Sequence, residues 1–234
     1  MSLPFFYIEN FDPALRSIEL DEDTSRHVVQ VLRMKPGEKL NLTDGNGYLV
    51  MGQIEDDHKK HCRINVSEKK YFPRDDVKIT IGISLIKNAN RFEWFLEKAA
   101  EIGITEIMPL ICERTEKQKF RSDRMKNILT SAMIQSQQCW MPVLHEPVSF
   151  IAVIESSSEQ QKYIAHCIEN EKQNLTAISN QTDSRIILIG PEGDFTKEEI
   201  DVALQHQFVP VSLGNTRLRT ETAGIVAATI LKQF

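Results

Sequence analysis

Two short turns hold the residue types most suited to chemistry. IGPEGDF, residues 189–195, ends an apolar run and precedes a helical pattern, and SLGNTRLRTETAG, residues 212–224, does the same. A strand, a glycine turn and a helix often cradle a phosphate. The first turn, however, carries Glu192 and Asp194 and no lysine, and nearby carboxylates repel a pyrophosphate. It matches neither the dinucleotide pattern GxGxxG nor the P-loop pattern GxxxxGK[ST]. It suits a ligand that brings a cation, hydroxyls or amines, with Gly190 and Gly193 letting the backbone approach closely. Thr196 and Glu199 form a capping-box pair, so part of this signal simply starts a helix. Taken alone, GPEG is equally well a plain strand-to-helix turn. In the second turn a helix cap accounts for Thr220 and Thr222. It does not account for Arg217 and Arg219 crowded beside Glu221. That cluster can hold a polyanion and place a charge beside a reacting group.

The elements around these turns follow from the apolar pattern. Residues 1 to about 72 read as short strands: FFYI, HVVQVLRM, EKLNLTDGNGYLVMGQIE and HCRINVSEKK. Asp44-Gly45-Asn46-Gly47 between two such runs is a hairpin signal. HVVQVLRM is alternatively a short helix capped by Asp23-Thr24-Ser25. Strands this short and numerous suggest a small barrel. YFPRDD, residues 71–76, reads as a linker. Beyond it, apolar strands (KITIGISLI, EIMPLIC, YIAHCI, RIILIG, FVPVSLG) alternate with helical patterns (NRFEWFLEKAAEIG, SDRMKNILTSAMIQSQQ, TKEEIDVALQHQ, TETAGIVAATILKQF). Such alternation predicts an α/β domain with a mostly parallel sheet, whose ligands sit at the carboxyl ends of the strands.

Composition sets the outer limits. The 234 residues are 41% hydrophobic and 26% charged, with a net charge of −5. That is the profile of an ordinary globular protein. No apolar run is long enough to span a membrane, and the amino-terminal residues do not read as a secretory signal, so a cytoplasmic location is expected. Cys62, Cys112, Cys139 and Cys167 are scattered without zinc spacing, which predicts reduced, mostly buried thiols and no metal. HKKHC at residues 58–62 is better explained by a charged turn. RTEKQKFRSDRMK, residues 114–126, is strongly basic, and alone it reads as a solvated helix face.

IGPEGDFTKEEI followed by LGNTRLRTETA closely resembles the paired signature of the RsmE family of ribosomal RNA methyltransferases, within the SPOUT superfamily. HVVQVLRMKPGE and DGNG look like that family's small amino-terminal barrel, and LIKNANRFEWFLEKAAEIGITEIMPLICERTE looks like its first strand-helix-strand unit. The resemblance covers nearly the whole chain. It implies a PUA-like RNA-binding β-barrel over residues 1–72 and a SPOUT methyltransferase domain over residues 73–234, with a parallel sheet and a carboxy-terminal trefoil knot. Periodicity cannot show a knot, because knots are rare exceptions to ordinary connectivity. It further implies a cytoplasmic homodimer that uses S-adenosylmethionine to methylate N3 of a uridine in 16S ribosomal RNA of the small subunit.

By the same resemblance, His166, Ile189, Gly190, Pro191, Glu192, Gly193, Leu213, Gly214, Arg217, Leu218, Arg219 and Ala223 would hold the cofactor. Its sulfonium and ammonium are positive, so the carboxylates of the first turn are tolerable. Arg219 would stabilise charge developing on the uracil, and Glu221 would orient Arg219 or accept the proton. A salt bridge between these two is the purely structural alternative. His27, Arg33, Lys87, Arg91, Arg114, Lys117, Lys119 and Arg121 are the candidates for RNA contact. His27 is equally readable as a histidine inside the barrel. Three departures stand out. Gln137-Gln138 replace a glycine-arginine pair after Gln135-Ser136, Arg217 stands where the family often has isoleucine, and Asp194 stands where it often has glycine. The competing readings are a knotted methyltransferase acting on another RNA, such as transfer RNA, and a non-catalytic RNA-binding assembly protein. A nucleotide hydrolase is more remote, since neither a phosphate loop nor a metal site is visible.

Overall fold

The computed structural model describes residues 3–116, 119–168, 171–180 and 182–233. The chain divides into two compact units. One comprises Met1–Arg74 together with Met133–Met141, and the other Asp75–Ala132 with Pro142–Phe234.

In the first unit, β1 (Phe5–Tyr7), β2 (Ser17–Glu19), α1 (Glu22–Arg26), β3 (Lys39–Thr43), β4 (Tyr48–Asp56) and β5 (Arg63–Tyr71) follow in order. The five strands form one sheet in the order β1-β3-β4-β5-β2, whose ends are β1 and β2. The DGNG signal is the β3–β4 turn. Asp44 Oδ1 accepts from the backbone N–H of Asn46 at 2.8 Å and of Tyr48 at 3.2 Å, while Gly45 and Gly47 supply positive φ. The helical alternative for the stretch before Met34 is the one adopted. Its cap is Asp21, which accepts from Thr24 N–H at 2.9 Å, and the turn continues as a π-helical segment, His27–Val31. Val28, Leu40, Leu42, Val50 and Ile64 are fully buried in the core of this unit.

The second unit contains β6 (Ile79–Ser84), α2 (Ala89–Ile102), β7 (Glu106–Ile111), α3 (Ser122–Gln135, whose last residues belong to the first unit), β8 (Val143–Leu144), β9 (Val148–Ser149), α4 (Phe150–Ser156), β10 (Gln161–Ala165), β11 (Gln173–Asn174), α5 (Leu175–Ile178), β12 (Arg185–Ile189), α6 (Lys197–Gln205), β13 (Val209–Ser212) and α7 (Thr220–Gln233). The sheet order is β11-β13-β10-β12-β6-β7-β8, with β9 also on β7, and the pairings are parallel. Every residue of β6 and of β12 is buried, which is why both read as unbroken apolar runs.

From β10 the chain passes to β11 at the sheet edge, then to β12 on the other side of β10, then back to β13 between β11 and β10, so β13, β10 and β12 lie side by side and parallel. The loops after β13, β10 and β12 therefore emerge side by side, at the kind of switch point where α/β sheets bind ligands. Helix α7 packs against α2 and β6. Gly224 permits this, since a Cβ there would lie 2.7 Å from Phe95 Cε2 and 2.9 Å from Ile83 Cδ1. Helix α2 starts at Asn88, whose side chain accepts from Asn90 N–H, and stops at Gly103 with φ 85°.

Candidate active site

A cavity of about 740 Å³ opens where those three loops emerge. His166 and Cys167 line it from the β10 loop. Ile189, Gly190, Pro191, Glu192 and Asp194 line it from the β12 loop, and Leu213, Gly214, Arg217, Leu218 and Arg219 from the β13 loop, with Ala223 on α7. Of the twelve residues expected to hold a cofactor, eleven thus converge on one cavity. Gly193 lies beside it, its carbonyl taken by Arg114 Nη1 at 2.6 Å.

Each loop is braced by the others. Thr220 Oγ1, at the start of α7, donates to Gly190 O at 3.0 Å. Asp194 Oδ2 accepts from Cys167 N–H at 2.7 Å and Oδ1 from Phe195 N–H at 2.9 Å, so this carboxylate ties the β12 loop to the β10 loop. It does so from a left-handed backbone, φ 64°. Asp194 is thereby engaged with backbone donors. Glu199 accepts from Thr196 N–H at 2.8 Å, completing the capping box read in the sequence, and its other oxygen accepts from Glu113 N–H at 2.9 Å. The segment after β7 therefore clamps the GPEG turn through Glu113 and Arg114. A Cβ on Gly190 would meet the buried Phe195 ring at 3.1 Å, so that turn has no room for a side chain.

His166 is 7% exposed, and among the described residues neither ring nitrogen has a hydrogen-bond partner. Burial pushes its imidazole below the ordinary histidine range, Lys172 pushes it the same way, and Asp194 opposes both. Lys172 is fixed alongside, its ammonium donating to His166 O at 3.0 Å and Ile168 O at 2.9 Å. His166 thus lines the cavity as a buried imidazole whose ring nitrogens are themselves buried.

Glu221 is also buried, at 7% exposure, but its ion partner is not Arg219. Arg91, on α2, lies 3.6 Å from Glu221 Oε1 and 3.5 Å from Glu192 Oε1. Glu221 Oε2 has no partner among the described residues. Arg217 and Arg219 are exposed at the cavity and make no ion pair among the described residues.

The cations expected on RNA are dispersed in role. His27 and Arg33 are exposed in the first unit, and His27 meets Phe6 edge-on at 5.7 Å. In the second unit Lys119 and Arg121 are exposed, and Lys87 pairs with Glu116 at 3.0 Å. Arg91 and Arg114 brace the site as described, and Lys117 falls outside the described residues. Lys172 and Cys167 also line the cavity, though the sequence marks neither as a site residue because nothing in their spacing singles them out. Cys167 is exposed and Cys139 half-buried, against the expectation of mostly buried thiols, whereas burial raises the Cys62 thiol to about 11 and Cys112 to about 12. No group of potential metal ligands occurs among the described residues, and no helix among them is long and apolar enough to cross a membrane.

Comparison with known proteins adds an independent line. A family model described as an RNA methyltransferase domain matches residues 73–232, and one described as an RNA methyltransferase PUA domain matches residues 20–67. Ribosomal RNA small subunit methyltransferase E of Buchnera aphidicola is 30% identical over 240 aligned positions, covering 98% of this chain and 93% of that protein. The crystal structure of a probable rRNA-methyltransferase from Porphyromonas gingivalis is 36% identical with TM-score 0.90, covering 97% of this chain and 95% of that one. The putative methyltransferase Lpg2936 of Legionella pneumophila, solved with bound cofactor SAM, is 30% identical with TM-score 0.89, covering 100% and 98%.

Proposed function

We propose, given that this chain belongs to the ribosomal RNA small subunit methyltransferase E family, that it transfers a methyl group from S-adenosylmethionine to N3 of a uridine in 16S ribosomal RNA. The observation that carries this reading is the cavity at the β13-β10-β12 switch point, lined by both glycine turns and the buried imidazole of His166. The donor set fits the cofactor. Its cationic centres match a neutral His166 and the Glu192 carboxylate, and Ile189, Val211 and Ala223 offer an apolar wall. When bound, the cofactor supplies an electrophilic methyl on a sulfonium, which needs no metal.

The remaining chemistry falls to the chain. Uridine N3 is a poor nucleophile while protonated, so the imide form that has lost its proton must be favoured. Arg219, exposed at the cavity and free of ion pairs among the described residues, is assigned the charge that develops on the uracil oxygen. Glu221 is assigned either the imide proton or the positioning of Arg91, its actual ion partner. His27, Arg33, Lys87, Lys119 and Arg121 are assigned phosphate contacts, which would make affinity fall with salt. In this reading Arg91 and Arg114 position the site. We further assign residues 1–72 to RNA binding and residues 73–234 to methyl transfer, with the carboxy-terminal segment threaded as a trefoil knot. The working form is a homodimer in the cytoplasm.

The experiment is transfer of labelled methyl from S-adenosylmethionine to small subunits that lack the modification, with mass spectrometry of the RNA. A 3-methyluridine at one site is expected, and Arg219→Ala should lower the rate at least about 100-fold, as loss of one transition-state donor does. Cofactor binding without transfer would redirect the assignment to another RNA. Absence of both would favour a binding protein.

A further inference from the structure

An unusual run of rings and cations occupies one rim of the first unit. Tyr48 and Tyr71 face each other across β4 and β5, with ring centroids 5.0 Å apart. Phe11 meets Tyr48 at 5.4 Å on one side, and Trp140 meets Tyr71 at 6.2 Å on the other. Each end carries a cation. Lys69 Nζ lies 6.0 Å from the Phe11 centroid, and the Arg74 guanidinium 5.3 Å from that of Trp140. The order is therefore cation, four rings, cation.

Its inner part belongs to the core, since Phe11 and Tyr48 pack against the buried cluster of this unit. The outer part does not, because Tyr71 is 51% exposed. The rings meet edge-to-face or tilted, at interplanar angles of 66°, 54° and 74°. Trp140 is held in place by donation of its Nε1–H to Phe72 O at 2.9 Å. Gly47 makes the closure possible, since a Cβ there would lie 2.7 Å from Trp140 Cζ2 and 2.8 Å from Tyr71 Cε2. The Lys69 ammonium is likewise fixed, donating to Pro13 O and Leu15 O. A half-exposed tyrosine in a rigid ring cluster, flanked by cations, is a surface suited to stack an unpaired base and neutralise its phosphates.

We propose that this rim is a stacking platform for an unpaired stretch of RNA, with bases on Tyr71 and Trp140 and phosphates beside Lys69 and Arg74. The proposal deepens the rRNA reading above and rests on it only for which RNA is bound. It is distinct from the cofactor cavity and from the cations already assigned to phosphate.

Two measurements test it on the full chain. Trp94 and Trp140 are the chain's two tryptophans, so Trp94→Phe leaves Trp140 as the sole indole reporter. A short unpaired RNA oligonucleotide should quench its fluorescence saturably. Tyr71→Ala should weaken oligonucleotide affinity between about 5- and 100-fold, the range of one lost base stack, while Tyr71→Phe retains it. The methyl-transfer assay is run on the same variants. If Tyr71→Ala binds the oligonucleotide within twofold of the parent and Trp140 is not quenched, the platform is refuted, even where methyl transfer is intact. If binding depends on Tyr71 but no variant transfers methyl, the platform stands and the methyltransferase reading falls. A ribosomal protein as the true occupant would appear as an unquenched Trp140 with naked RNA, and would also refute it.

Discussion

Arg91 and Glu221 form an ion pair between α2 and the first turn of α7, with 3.6 Å between guanidinium nitrogen and carboxylate oxygen. Arg219, two residues from Glu221, is left to the cavity. The pair thus separates two arginines that look interchangeable in the sequence. One holds a buried carboxylate, and the other faces whatever occupies the cavity.

Removing Arg91 should leave Glu221 buried without compensation. Arg91→Ala is expected to cost about 1–2 kcal/mol of stability, discounted because the arginine is partly exposed. Glu221→Gln should recover part of that loss in the double variant. Denaturant midpoints across the four proteins of the cycle give the coupling, and additive losses would mean the two groups do not interact.

His166 makes a prediction about pH. Its folded pKa lies below the ordinary value of 6.5, mainly through burial. The unfolded state therefore binds more protons than the native state as pH falls through 6.5, so stability is full above that value and declines below it. His166→Gln should flatten this part of the pH profile of thermal unfolding. Cofactor affinity, measured by calorimetry, should fall only at lower pH, where the native imidazole itself takes a proton and opposes a cationic ligand.

Gln137 and Asp194 have φ of 56° and 64°, a region that favours glycine. Gln137→Gly should stabilise the chain by about 1 kcal/mol by relieving that backbone. Asp194→Gly relieves the same strain but loses two backbone hydrogen bonds, so it should be net destabilising by about 1 kcal/mol. Chemical denaturation compares them directly, and equal shifts of the same sign would contradict the account.

Gly224→Ala places a methyl against Phe95 and Ile83, both fully buried. The expected cost is about 1–3 kcal/mol, read from the urea midpoint.

Much of this architecture is legible in residue order. Unbroken apolar strands, the Thr196–Glu199 capping box, the DGNG turn and Gly103 each report a local rule that the fold obeys. The short elements β2, β8, β9, β11 and α5 are not legible, because two to four residues carry no period. At the site, both glycine turns line the cavity, and their signal is local backbone chemistry. Partnership is another matter. Arg91 to Glu221, Arg114 to Gly193 and Asp194 to Cys167 join segments 130, 79 and 27 residues apart. A basic residue in the sequence looks the same whether it awaits a phosphate or already grips a carbonyl. Gln137 and Asp194, at two positions that depart from glycine, show the limit as well: residue type does not reveal that the backbone keeps a left-handed conformation at both.

The first unit is not a continuous segment. It needs Met133–Met141, which supply Trp140 and its bond to Phe72, and the Cys139 carbonyl that accepts from Gly47 N–H at 2.8 Å. A ribosome that has made the first 74 residues has therefore not yet made this unit. Its completion must wait until the sheet's first strands and α3 have been synthesised. A fragment cut at the linker would carry an unfilled notch beside Gly47, and the amino-terminal part of the chain is expected to mature late, although it is translated first.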